Sequence, residues 1–89
     1  MQKDNRLRML CRKGVAFYQT AELIHATEEQ VKDASRGNAK LSPQSDELLE
    51  SLVCVAEYLE KEDIQRHLKS DNPSLSGLFL DVIEQEVER

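Results

Sequence analysis

Residues 18–37, YQTAELIHATEEQVKDASRG, form the stretch that decides the fold. Small and apolar residues recur there at helical spacing on both sides of residues 25–27, which predicts two short helices joined by a tight turn. Thr27 and Gln30 have the spacing of a capping box that starts the second helix, and Gly37 is a typical C-terminal stop. Residues 18–37 are therefore predicted to form a helix-turn-helix.

The flanking sequence also has helical periodicity, and no segment alternates for long enough to predict a strand. Ser42-Pro43 opens a segment with a broad stripe of Leu, Val and Ala, which we expect to be the central core helix. Other helices are predicted at residues 4–13, 63–69 and 78–89. The prediction is a small all-α domain, with the N-terminal helix and helix-turn-helix in residues 1–40 and the core helix and an acidic region in residues 41–89.

Composition describes a charge-rich chain of 89 residues, with 39% hydrophobic and 33% charged residues. No apolar run approaches the roughly 18 residues that a membrane span needs, and the N-terminus lacks the apolar centre of a signal peptide. We therefore predict a cytoplasmic protein that does not contact the membrane. Cys11 and Cys54 stand alone in helical segments, which predicts buried free thiols rather than a disulfide or a metal site.

Catalytic and metal-binding patterns are missing from the sequence. Neither His25 nor His67 has a Ser or Cys motif around it, and each is interpreted as a solvated or capping histidine. The acidic pairs Glu28-Glu29 and Glu60-Glu62 lack the loop of a calcium site, and no glycine-rich phosphate loop is present. We predict that the chain is not an enzyme and needs neither cofactor nor metal.

Charge is divided unequally along the chain. Residues 1–40 carry eight Lys or Arg against five Asp or Glu, a balance of +3, whereas residues 41–89 carry four against twelve, a balance of −8. The first half is suited to an acidic polymer and the second would be repelled by one. The alternative interpretation is that both are solvated surfaces.

A helix-turn-helix contacts DNA mainly through the first turns of its second helix. Those positions are Thr27, Glu28, Glu29, Lys32 and Asp33, and three of these five side chains are acidic, which weakens the attraction to phosphate. Arg36, Lys40 and the arginines of the first helix would offset this by clamping the DNA backbone. The candidate DNA-binding residues are Thr27, Glu28, Glu29, Lys32, Arg36 and Lys40, with Asp33 also on this face. The alternative is a helix pair that serves as a packing unit or a dimer surface.

The order of segments resembles a known family. AELIHAT (residues 21–27) with a following Arg-Gly precedes KLSPQSDELLESLVCVAEYLE (residues 40–60) and then EDIQRHLKSDNPSLSGLFLDVIEQE (residues 62–86). This succession resembles the Xre-type antitoxins of the MbcA/ParS group, in which a Xre/λ-repressor-like helix-turn-helix precedes a short helical toxin-binding region. His25 replaces the usual turn glycine, His67 stands where the family has a bulky residue, and the proline expected after the NPxLxG tract is absent.

The resemblance implies a protein partner, a RES-domain toxin that consumes NAD and whose active-site entrance the C-terminal half would cover. An acidic surface suits that role, because an enzyme that holds a dinucleotide's phosphates needs a positive cleft. The candidate partner-binding residues are Asn72, Pro73, Leu75, Gly77, Asp81 and Glu84, together with Glu86 and Glu88.

Three functional hypotheses follow. The leading one is an antitoxin-like regulator that neutralises a partner toxin and binds operator DNA for autoregulation. The others are a stand-alone helix-turn-helix repressor and a protein-binding adaptor or anti-activator that keeps the fold as a scaffold. A homodimer is compatible with each, since helix-turn-helix proteins commonly read two half-sites, although no residue in the sequence requires it.

Overall fold

The computed structural model describes the backbone of residues 5–88 and the side chains of residues 5–84. This part of the chain folds into six helices joined by short connections and contains no strand, which confirms the all-α prediction. The helices are α1 (Asn5–Arg12), α2 (Phe17–Leu23), α3 (Glu28–Arg36), α4 (Pro43–Tyr58), α5 (Lys61–Leu68) and α6 (Leu75–Glu88). None of these helices has both the length and the apolar character required to cross a bilayer.

The ends of the N-terminal helices follow the predicted signals. Gly14 takes up φ 82° just after α1, where only glycine is free of strain. The predicted first residue of that helix, Asp4, lies outside the described residues. Gly37 ends α3 at φ 79°, and Ser42 begins α4 by accepting a hydrogen bond from the backbone N–H of Ser45 at 3.3 Å.

A four-residue turn, residues 24–27, joins α2 to α3. His25 lies in it at φ 57°, in the left-handed region that favours glycine. The predicted capping box of α3 is confirmed, because Thr27 Oγ1 accepts from the Gln30 N–H at 3.1 Å and Gln30 Oε1 accepts from the Thr27 N–H at 2.9 Å. Ser45 of α4 also stabilises this turn, because its hydroxyl donates a hydrogen bond to the backbone carbonyl of Ile24 at 3.0 Å.

A single apolar core receives side chains from all six helices. The predicted central helix, α4, buries Leu49, Leu52, Val55 and Ala56, with Leu59 just beyond its end. It packs against α1, α2 and α6, so the N-terminal and C-terminal halves meet on it. Arg6 of α1 adds two ion pairs to the same helix, with Asp46 and with Glu50, both at 2.7 Å.

Two helix starts differ from the prediction. Helix α5 begins at Lys61 rather than at residue 63, and α6 begins at Leu75 rather than at residue 78. The earlier start of α6 has a local cause, because Ser74 Oγ accepts from the Gly77 N–H at 3.0 Å as an N-terminal cap does.

The thiols of Cys11 and Cys54 were predicted to be buried, and this prediction is wrong: both residues are exposed. Cys11 directly follows the buried Leu10, and Cys54 directly precedes the buried Val55. On α1 the buried side chains are Leu7 and Leu10, whereas Cys11, one turn after Leu7, lies at the edge of this face and is exposed.

Candidate functional site

Helix α6 presents two apolar faces. Leu78 is 1% exposed and, with the half-buried Leu75 and Val82, packs on the core. On the other face Phe79, Leu80 and Ile83 are 42%, 59% and 56% exposed. The apolar repeat that predicted this helix, Leu80 and Ile83, thus lies in solvent, and the third member, Val87, has its side chain outside the described residues. We call residues Phe79, Leu80 and Ile83 the α6 apolar face.

A cavity of about 250 Å³ lies at the N-terminal end of this face. Pro73 and Leu75, two of the predicted partner-binding residues, line it together with Phe79. Its opposite wall comes from Leu48 of α4 and from the end of α2 and the following turn, including His25. The cavity, whose lining also includes Glu22, Ser74 and Ser76, therefore lies next to the α6 apolar face, between the two halves of the chain.

His67 connects α5 to α6. Its Nε2 lies 3.1 Å from both the backbone nitrogen and the carbonyl oxygen of Ser74, and its Nδ1 lies 3.5 Å from Oδ2 of Asp81. In the neutral ring, a proton on Nδ1 faces Asp81 and leaves Nε2 to accept from the Ser74 N–H. The His67 side chain is only 13% exposed, so of the two predicted roles, solvated or capping, the solvated one is wrong. Its Nε2 instead faces the backbone N–H of Ser74 just before α6, and the ring links the two helices.

The His67 ring lies against two of the predicted partner-binding residues, Gly77 and Asp81. A Cβ on Gly77 would collide with the His67 ring, so glycine is needed there to let α6 pack on α5. Asp81 faces the ring through its carboxylate. Both residues therefore have an internal packing role, whereas Asn72 and Glu84 are exposed. The side chains of Glu86 and Glu88 lie outside the described residues.

The predicted DNA-contacting residues of α3 lie on its solvent side. Thr27, Glu28, Glu29 and Lys32 are all exposed, as are Arg36 and Lys40, while Asp33 is half-buried. Lys32 Nζ lies 3.4 Å from Glu28 Oε1, so this cation is shared with a neighbouring carboxylate. The first two turns of α3 thus present more negative than positive charge.

Arginines from two helices converge on a second cavity, of about 530 Å³, which we call the arginine cleft. The six residues that line it are Arg8, Cys11, Arg12, Phe17, Ser35 and Arg36. None is acidic, and within residues 5–84 no ion pair involves any of these three arginines. Of the cations expected to clamp a DNA backbone, Arg8, Arg12 and Arg36 line this cleft, whereas Arg6 and Lys40 do not.

Among the described residues, no three His, Cys, Asp or Glu side chains come together in a way that could hold a metal ion. Sequence reasoning did not identify Phe79 as a candidate, nor the exposure of Leu80 and Ile83. The available signal was that α6 carries more large apolar residues than one core-facing stripe requires. A comparison with protein-family models, curated proteins and solved structures found no match.

Proposed function

We propose that this chain is a non-enzymatic regulator that binds a partner protein through helix α6. The observation that carries the proposal is the α6 apolar face: Leu78 and Val82 anchor the helix to the core while Phe79, Leu80 and Ile83 remain in solvent. Clustered exposed apolar side chains on one helix are typical of a surface that docks into an apolar groove.

Charge narrows the kind of partner. Residues 41–89 carry a balance of −8, so the groove should have a basic rim around its apolar floor. A RES-domain enzyme that holds the phosphates of NAD has this chemistry, and the resemblance to Xre-type antitoxins favours it as the partner. In such a complex the α6 apolar face provides most of the affinity, and the exposed Asn72 and Glu84 contact the rim.

The neighbouring cavity supports the same proposal. An apolar side chain of the partner can enter between Pro73, Leu75 and Phe79 and be shielded from water on several sides. Fully desolvated anchors of this kind contribute most to binding at protein interfaces. The predicted roles of Pro73 and Leu75 are then to shape the receiving pocket.

The test mixes the purified chain with the product of the neighbouring gene and follows complex formation by size-exclusion chromatography and NAD consumption by absorbance. We expect a stoichiometric complex that blocks NAD consumption. Replacing Leu80 and Ile83 by Ser should weaken the complex by tenfold or more, on the order of 1.4 kcal/mol or above, because both are exposed and the fold does not need them.

The matched control is Tyr58→Ser, which removes another exposed large side chain from a different helix. It should leave the complex unchanged. If the folded wild-type chain forms no complex, or if both variants bind as well as wild type, the proposed function is wrong.

A second proposed function is operator binding through α3. The supporting observation is that a capping box fixes the start of α3 after a four-residue turn and leaves its first turn exposed. Replacing Glu28 and Glu29 by Gln should strengthen binding to DNA from upstream of the chain's own gene if α3 enters a groove, because two repulsive charges disappear. Binding that stays at background, at low and moderate salt, would favour the scaffold hypothesis instead.

A further inference from the structure

The arginine cleft concentrates positive charge on an otherwise acidic protein. The whole chain has a formal charge of −5, yet the side chains of Arg8, Arg12 and Arg36 line one cavity without a carboxylate among the lining residues. Arg6 shows the contrasting arrangement on the same helix, because it is held by Asp46 and Glu50. The cleft arginines are therefore available to an anion from outside the chain.

Helix stability explains only part of this arrangement. Arg12 and Arg36 lie in the last turns of α1 and α3, where a positive charge offsets the helix dipole. That role does not apply to Arg8, which lies in the middle of α1, and it does not require the three side chains to share a cavity. Three guanidinium groups along one cavity would suit a ligand with more than one negative oxygen.

The size and lining of the cleft favour a small ligand over a polymer. Its volume of about 530 Å³ falls within the range of roughly 300–1,000 Å³ that is usual for small-molecule pockets. A nucleic acid would also meet Glu28 and Glu29 at the other end of α3 and the negative charge of the whole chain. A compact anion meets only the local arginines.

We propose that the arginine cleft binds a small phosphorylated ligand that carries a planar ring, of the nucleoside diphosphate class. Guanidinium groups bind phosphate oxygens in a bidentate fashion, and three of them match a diphosphate. Phe17 is half-buried in the wall of the cleft and offers a ring surface on which a base can stack. This site is separate from the α6 apolar face and does not depend on the proposed partner.

Cys11 provides a direct readout, because this exposed residue lines the cleft whereas the exposed Cys54 on α4 does not. The wild-type chain is treated with iodoacetamide in the presence of ADP, pyrophosphate or a DNA duplex at equal phosphate concentration, and alkylation of each cysteine is followed by peptide mass spectrometry. We expect ADP to slow alkylation of Cys11 several-fold and to leave Cys54 unchanged. Pyrophosphate should protect less, since it lacks a ring.

Calorimetry of ADP binding to variants completes the test. The double variant Arg8→Gln/Arg12→Gln should bind ADP at least about tenfold more weakly and lose the protection of Cys11. The control Arg66→Gln/Lys69→Gln removes the same charge from exposed positions of α5 and its end and should bind as wild type. Equal losses in both double variants, absence of ADP binding to the wild type, or protection by the DNA duplex alone would overturn the proposal.

Discussion

Helices α3 and α6 use their apolar residues in different ways. Helix α3 has only Val31 and Ala34 to bury, both are buried, and its outer face is charged. Helix α6 has more large apolar side chains than the core covers, and Phe79, Leu80 and Ile83 remain outside. The exposed surface of α3 can therefore attract or repel a charged molecule, whereas that of α6 offers apolar area that a contact could bury.

The largest difference in stability is expected between substitutions of two α6 leucines that lie two residues apart in the sequence. Leu78→Ala should lower the free energy of unfolding by about 2–5 kcal/mol, because this side chain is 1% exposed and leaves a cavity. Leu80→Ala should change it by about 0.5 kcal/mol or less, since 59% of that residue is in solvent. Urea unfolding followed by circular dichroism measures both. Equal losses would show that α6 packs with a different face inward.

The next largest change in stability is expected where α6 packs against α5, at Gly77 and His67. Gly77→Ala should cost about 1–3 kcal/mol, because the new methyl group meets the His67 ring. Ser76→Ala, at the exposed neighbouring position, is the control and should be nearly neutral. Adding His67→Ala to the glycine variant should recover part of the loss relative to the sum of the single variants. A strictly additive double variant in thermal unfolding would contradict this contact.

A substitution in the turn before α3 should raise the stability of the fold instead of lowering it. His25→Gly is expected to raise the free energy of unfolding by about 0.5–1 kcal/mol, because the left-handed conformation at φ 57° strains a side-chain-bearing residue but not glycine. At the next position Ala26→Gly should lower stability, since that residue does not have a positive φ and glycine adds only chain entropy. Destabilisation by both glycines would argue that the histidine side chain holds the turn.

An effect of similar size is expected at the ion pairs that join α1 to α4. Arg6→Gln should cost about 0.5–1 kcal/mol, because it removes ion pairs to Asp46 and Glu50 whose carboxylates are about half exposed and therefore screened. The loss should shrink in 1 M salt. Arg8→Gln removes the same charge from α1 without a described ion-pair partner and should be neutral. A larger loss for Arg8 would mean that the cleft arginines stabilise the fold.

Prediction from sequence succeeded where the signal was local. The capping box of Thr27 and Gln30 and the stop at Gly37 depend on hydrogen bonds and dihedral angles within a few residues, so their residue types specify them. The start of α6 was predicted three residues too late, at residue 78 rather than at Leu75. The structure shows that Ser74 caps the first turn directly after Pro73, so the proline lies outside the helix.

Prediction of the candidate sites was less complete. The acidic C-terminal half and the arginine-bearing α1 could be recognised from composition, and both contribute to the sites described here. The roles of Gly77 and Asp81 could not, because they depend on His67, which is ten residues or more away along the chain and adjacent only after α5 and α6 pack. The exposure of Cys11 and Cys54 was likewise decided by which face of each helix turned inward.

By itself the sequence determined that the chain is helical, where α3 begins and ends, where α4 begins, and that the two halves differ in charge. These properties depend on neighbours within one or two turns or on simple counts. Only the tertiary structure decided which apolar residues of α6 are left uncovered and which arginines share a cleft. The physical reason is that both depend on the packing of residues far apart in the chain. Arg8 of α1 and Arg36 of α3, for example, line one cleft only because the two helices pack together.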